Sequence, residues 1–200
     1  MNIFSFHPVK IITTGEGGMI TTNNKKYFEK LKMLRSNGIV KNFKNKPDWY
    51  YEQRSIGFNF HMTEIQASLG ITQLKNLKSW INMRNKIALE YNKNFESLSI
   101  ITPSVAINST SSFHLYVIML KNKKLRDGLF KFLKKNKIQC NFHYIPLYRH
   151  PFYKMKKKRF LQFYDSEIYY EKALSLPMHP GISIKQVKII SNAIRSYLKS

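Results

Sequence analysis

Ser5-Phe6-His7-Pro8-Val9-Lys10-Ile11-Ile12-Thr13-Thr14-Gly15-Glu16-Gly17-Gly18-Met19-Ile20-Thr21-Thr22-Asn23 reads as a strand, a glycine turn and a returning strand. Phe4 to Ile12 mixes β-branched and aromatic residues, which suit a pleated backbone. Gly15-Glu16-Gly17-Gly18 signals a hairpin turn, and Met19-Ile20-Thr21-Thr22 is the return. A phosphate-loop reading of those glycines fails, because the Lys-Ser/Thr pair and the following helix are absent. Lys10 sits in the apolar run just before the turn. Most lysines are solvated surface charges, but a desolvated one has a lowered pKa and a nucleophilic amine. Such amines form Schiff bases with carbonyl compounds.

Working outward, Asn23-Asn24 can cap a helix from about Lys25 to Arg35, with Tyr27, Phe28, Leu31 and Leu34 at helical spacing and Gly38 as its stop. Asn37 to Phe60 is polar, aromatic and irregular, and is predicted to be a long loop, a kind of segment that is often functional. Thr63-Glu64-Ile65-Gln66 fits a capping box. Ile65, Leu69, Leu74, Leu77 and Ile81 then predict one buried stripe, and a second helix is expected over Asn82 to Phe95. Pro103 and Asn108 to Ser112 mark a loop. Phe113 to Leu120 is a predicted strand, Leu125 to Asn136 a helix, and Ile138 to His143 a strand. Ile145 to Arg159 is a loop rich in Pro, aromatic and basic residues. A short helix is expected at Ser166 to Leu174. A final helix starts at Ser183, with a capping box to Gln186 and with Val187, Ile190, Ile194 and Leu198 on one side. No repeat and no Gly/Ser-rich or Pro-rich linker stands out. The order from Phe113 onward suggests a small α+β domain. The first part holds too few strands for a closed sheet and looks like the tail of a larger domain.

The chain has 200 residues, 43% of them hydrophobic, which excludes a wholly disordered protein. No stretch approaches the ~20 apolar residues that span a bilayer, and the N-terminus lacks a secretory pattern. The lone Cys140 excludes an intrachain disulfide framework and a multi-cysteine zinc site, so the expected compartment is the reducing cytoplasm. Cys140 reads as a small core residue, and His7 as a structural histidine satisfied by backbone. Six histidines without short paired spacing argue against a metal site. Lys+Arg number 34 against 11 Asp+Glu, a net charge of +23. That charge is consistent with a nucleic-acid or anionic-membrane partner. Compositional drift in a Lys-, Asn- and Ile-rich chain raises the charge in the same way and is the favoured reading, so neither a membrane nor a nucleic-acid partner is expected. Basic residues are densest at Lys121–Lys137 and Lys154–Arg159.

The lysine segment closely resembles that of the DegT/DnrJ/EryC1/StrS aminotransferases, which are sugar aminotransferases of fold type I that use pyridoxal 5′-phosphate. Gly57-Phe58-Asn59-Phe60-His61-Met62-Thr63-Glu64-Ile65-Gln66-Ala67-Ser68-Leu69-Gly70 is similar to the family's second signature, and His114-Leu115-Tyr116-Val117 to its third. His143-Tyr144-Ile145-Pro146-Leu147-Tyr148-Arg149-His150-Pro151-Phe152-Tyr153 and Leu174-Ser175-Leu176-Pro177-Met178-His179-Pro180 resemble one branch. That branch aminates a UDP-linked 4-keto-6-deoxy-N-acetylhexosamine on the way to pseudaminic acid.

The resemblance implies an α/β fold: residues 1–80 as the C-terminal part of a fold type I large domain, and 81–200 as a small α+β C-terminal domain. It implies that Lys10 binds the cofactor covalently and then shuttles the substrate proton. Ser5 would contact the cofactor phosphate, and Asn59 would reach it from the neighbouring subunit of a homodimer. His143, Tyr144, Ile145 and Pro146 would line the nucleotide-sugar site, with Arg149 near the diphosphate. Hydroxyl, amide and guanidinium donors suit phosphate oxygens. Tyr144 can stack on a base or simply pack. Glutamate is the implied amino donor. At His61 the family commonly has an Arg, a departure that bears on the amino donor or the subunit contact. Family members run to nearly twice this length, and the part upstream of the lysine segment carries the rest of the cofactor site. The expectation is therefore a truncated chain, inactive without an N-terminal half from another polypeptide. The alternative is a non-catalytic basic module for an anionic partner. Binding to nucleic acid should then weaken steeply with salt.

Overall fold

The computed structural model describes residues 1–41, 43–153 and 162–199. The chain divides into two compact units, Met1–Leu77 and Lys78–Ser200. In the first unit, β1 (Asn2–Ser5) pairs antiparallel with β2 (Gly18–Thr21), in a register that sets Asn2 opposite Thr21 and Ser5 opposite Gly18. Helix α1 spans Lys25–Arg35. The Asn24 side chain accepts the Tyr27 N–H at 3.1 Å, satisfying one orphan donor, and Lys32 and Arg35 in the last turn complement the helix dipole. The expected long loop contains a hairpin of β3 (Ile39–Lys41) and β4 (Tyr51–Gln53), paired antiparallel. Three-residue strands are too short to announce themselves by alternation.

Gly38 ends α1 as expected. Its φ is +74°, and its N–H reaches the Met33 carbonyl at 2.9 Å. A Cβ there would collide with the Ser55 carbonyl, and one on Gly57 would collide with the Gly38 backbone. Gly38→Ala is expected to destabilise the first unit by at least about 2 kcal/mol. Faster amide exchange at Ile39 and Arg54 checks this, since Arg54 N–H donates to the Gly38 carbonyl.

The two helices expected on either side of Ile81 are one continuous helix, α2 (Glu64–Phe95). No breaker separates the two apolar patterns. The capping box forms: Thr63 Oγ1 accepts the Gln66 N–H, and Gln66 Oε1 accepts the Thr63 N–H. The predicted stripe on its first half is not buried, since Ile65 is 84% and Leu74 58% exposed. Helix α1 likewise buries no residue. Only Thr14 and Gly38 are buried among the described residues of this unit.

The second unit holds the core. Strand β5 (Tyr116–Met119) pairs antiparallel with β6 (Ala173–Leu176), and single bridges add Ile101 beside Met119 and Asn141 beside Ser175. The predicted strand over Ile138–His143 is reduced to that Asn141 bridge. Helices α3 (Lys123–Lys135), α4 (Tyr164–Lys172) and α5 (Ile184–Lys199) complete the unit. The short helix expected to reach Leu174 stops at Lys172, and Ala173–Leu176 is a fully buried strand. A four-residue run such as Ala-Leu-Ser-Leu is too short for its period to separate strand from helix. Tyr91, Phe95, Tyr116, Ile118, Leu129, Leu133, Leu174, Val187 and Ile194 form the core. Arg84 is buried with them and donates from Nη1 to the Phe113 and Met178 carbonyls, each at 3.0 Å. Cys140 packs against this core, and burial pushes its thiol up to about 11. The basic run at Lys121–Lys137 is the outer face of an amphipathic helix that turns Arg126, Leu129 and Leu133 inward. That is a solvated face. The run Lys154–Arg159, and with it most of the end of the predicted 145–159 loop, lies outside the described residues.

Candidate active site

Lys10 is not in a strand. β1 ends at Ser5, and residues 7–13 form a closed loop. Pro8 lacks a ladder donor, and the Lys10 N–H turns back to the His7 carbonyl at 2.9 Å. Phe6 closes the base of the loop. Its N–H donates to the Gly17 carbonyl at 2.9 Å, and its carbonyl accepts Thr14 N–H at 3.0 Å and Thr13 Oγ1 at 2.9 Å. Buried Thr14 donates from Oγ1 to the Glu16 carbonyl at 2.6 Å. Helix α2 pins the same loop from outside, with Gln73 Oε1 accepting Thr13 N–H at 3.4 Å and Gln66 Nε2 donating to the Glu16 carbonyl at 3.1 Å. Lys10 therefore has a fixed backbone and a half-buried side chain. His7 is occupied structurally, with Nδ1 accepting the Val9 N–H at 3.3 Å.

Ser5 sits at the mouth of this loop, exposed, with Oγ near the His7 N–H at 3.4 Å. Ser5 thus ends the strand that leads into the Lys10 loop. Asn59 belongs to another segment: it bridges Ser36, and its Oδ1 accepts the His61 N–H at 3.3 Å. Among the described residues no hydrogen bond joins it to Ser5 or Lys10. His61 Nε2 lies 3.0 Å from Ser36 Oγ.

His143 lies in the second unit. Its Nδ1 is 2.7 Å from Ser175 Oγ on β6, and burial holds its pKa below the usual 6.5. It lines a cavity of about 640 Å³ together with His114, Asn141, Ser175 and His179. Tyr144 is 70% exposed and meets His143 edge-on at 4.6 Å. Ile145 is exposed and Pro146 half-buried. The expected use of Arg149 for a diphosphate meets a competitor, because its guanidinium is ion-paired with Glu167 and lies over the Tyr170 ring. Because the folded His143 pKa is depressed, only the unfolded chain takes up a proton as pH falls through 6.5, and stability falls with it. His143→Gln is expected to flatten that part of the stability–pH profile, read by urea unfolding between pH 5 and 7.5.

Sequence reading missed Thr13, Thr14, Gln73 and Ser175. Thr13, Gln73 and Ser175 act through partners distant in sequence, and Thr14 through a turn contact to Glu16, so no motif spacing marks them. Gln66 carried a signal, but only as a helix cap.

The DegT/DnrJ/EryC1/StrS aminotransferase family model matches residues 1–195. This chain belongs to that family. Among its relatives is the UDP-4-amino-4,6-dideoxy-N-acetyl-beta-L-altrosamine transaminase of Campylobacter jejuni, 36% identical over all of this chain and 52% of that protein. The Helicobacter pylori PseC structure, an aminotransferase involved in pseudoaminic acid biosynthesis, superposes with a TM-score of 0.85 at 31% identity, covering 98% of this chain and 53% of its own. A Streptococcus pneumoniae structure described as a sugar aminotransferase in its PLP form matches with a TM-score of 0.83 at 26% identity, covering 98% and 51%. The chain spans about half the length of the curated relatives it matches. Its α/β fold is that of one half of these aminotransferases. Among the described residues of this family member, no helix is long and apolar enough to cross a membrane.

Proposed function

We propose that this chain supplies the lysine half of a pyridoxal phosphate-dependent aminotransferase. Its substrate would be a UDP-linked 4-keto-6-deoxy-N-acetylhexosamine in surface-glycan biosynthesis. The observation that carries the reading is the closed loop of residues 7–13, which fixes the Lys10 backbone, with the Ser5 hydroxyl near the His7 N–H at its mouth. The donor set fits the cofactor: a primary amine for an aldehyde, and a hydroxyl for a phosphate. When bound, the cofactor acts as an electron sink for the substrate carbanion.

Lys10 Nζ would hold the cofactor through its aldehyde and, when free, would take and return the proton at the substrate carbon. Ser5 Oγ donates to the phosphate. Asn59 donates its amide to the same phosphate from the partner in a homodimer. Exposed Tyr144, with Ile145 and Pro146, presents an apolar surface to the uridine, and neutral His143 offers a ring nitrogen to the sugar. Glutamate is the amino donor, and the reaction runs in the cytoplasm, where both substrates are soluble. The rest of the active site would be supplied by a segment corresponding to the N-terminal half of the relatives.

The test is reductive trapping. The chain is mixed with pyridoxal phosphate, alone or with that N-terminal half, and reduced with borohydride, and the labelled peptide is mapped. Selective labelling of Lys10 supports the reading. Labelling scattered over many lysines in both mixtures overturns it.

A further inference from the structure

Within the second unit, the segment carrying Tyr144, Ile145 and Pro146 is anchored at both ends to one continuous stretch of chain. At its start His143 is held by Ser175 on β6. At its end the 3₁₀ turn Leu147–Arg149 is held by a single carboxylate on α4. Glu167 Oε1 accepts Tyr148 Oη at 2.7 Å and Arg149 Nε at 3.0 Å, and Oε2 pairs with Arg149 Nη2. The arginine is thus gripped in the two-pronged geometry that fixes orientation as well as position. Two ring contacts brace the same grip. Tyr148 stacks on Phe163 with centroids 4.5 Å apart and planes at 14°, and the Arg149 guanidinium lies 4.9 Å from the Tyr170 ring centre. Helix α4 runs directly into β6 at Ala173, so Glu167 and Ser175 are eight positions apart on one rigid run. Between the anchors, Tyr144, Ile145 and Leu147 remain exposed.

We infer that Glu167 is a positioning residue: it touches no ligand, yet its grip on Tyr148 and Arg149 sets the conformation in which Tyr144–Leu147 meets the nucleotide-sugar. The second clause rests on the function proposed above, and the first does not. The same grip keeps Arg149 from serving as a diphosphate ligand. The length of the acid matters, because an aspartate, one methylene shorter, could not reach Tyr148 together with both Nε and Nη2 of Arg149.

Hydrogen exchange on the full chain tests it. The Arg149 and His150 amides close the 3₁₀ turn on the Pro146 and Leu147 carbonyls at 2.9 and 3.1 Å, so their exchange reports its opening. Glu167→Gln is expected to speed both at least about tenfold, the size of losing a charge-assisted hydrogen bond. Arg149→Met should do the same, and the double variant no more than either single. The amides of Tyr116 to Met119 serve as the folding control and should not change. Unchanged Arg149 and His150 exchange in Glu167→Gln, or strictly additive effects, would overturn the clamp.

The ligand side uses UDP-N-acetylglucosamine as the probe, with the chain joined to its N-terminal half. Protection of the Tyr144–Leu147 region in the parent that weakens about tenfold in Glu167→Gln supports the positioning role. If Glu167→Gln opens the turn but the probe protects parent and variant equally, the clamp stands and its effect on the ligand is wrong. If the turn opens and the probe does not protect the parent segment at all, the clamp stands and the nucleotide-sugar assignment of the segment falls.

Discussion

Lys10→Ala is expected to abolish borohydride-trapped labelling and to lower transamination by the assembled enzyme on the order of 10³-fold or more. In the proposed role two functions are lost together, the amine that would hold the cofactor and the base that would move the substrate proton. His7 does not take over as base through Nδ1, which already receives the Val9 N–H. Stability should barely move, by less than about 0.5 kcal/mol, since Lys10 is half-buried and the loop is closed by Phe6, Thr13 and Thr14 rather than by the lysine side chain. A diffusible primary amine should restore part of the rate by replacing the base. A variant that keeps full activity, with unfolding unchanged, would place the chemistry on another lysine.

Tyr116→Ala should be the most damaging single core change, costing about 4 kcal/mol. The residue is fully buried on β5. Its ring stacks on Tyr91 with centroids 4.8 Å apart, and it meets Phe95 and Phe113 at 6.5 and 6.4 Å. Removing it leaves a cavity among three rings that are themselves held in place. Tyr91 donates its hydroxyl to the Pro177 carbonyl at 3.0 Å, so it cannot collapse inward without breaking that bond. A loss of this size is a large fraction of the ~5–15 kcal/mol that holds a typical domain together. Tyr116→Phe keeps the ring and loses only the hydrogen bond to Asn92, so it should cost about 1 kcal/mol. Urea unfolding followed by circular dichroism separates the two, and a loss below about 2 kcal/mol for Tyr116→Ala would show that the cluster repacks.

Local signals in the chain proved readable where the physics is local. Helix α1 runs over the predicted Lys25–Arg35 with Asn24 as its cap and Gly38 beyond its end. Both capping boxes form, at Thr63–Gln66 and Ser183–Gln186. Val187, Ile190 and Ile194 face the core as their spacing predicts. Each of these depends on residues within about a turn of one another, so spacing is sufficient. The apolar stripe of early α2 shows where that rule stops. Its period is helical and a helix forms, but period states which side is apolar, not what covers it.

By itself, then, the sequence determined the family, through two long motifs around Lys10 and Asn59, and the helices with their ends. Tertiary structure alone decided that Lys10 sits in a closed loop rather than a strand, because the bonds from Phe6 to Thr14 and Gly17, and from Gln66 and Gln73 to the turn, join residues that local spacing cannot pair. It alone decided that Arg149 belongs to Glu167, 18 positions away. It also decided that Ala173–Leu176 is a strand, since so short a buried run acquires a conformation only from the ladder it joins at Tyr116–Met119.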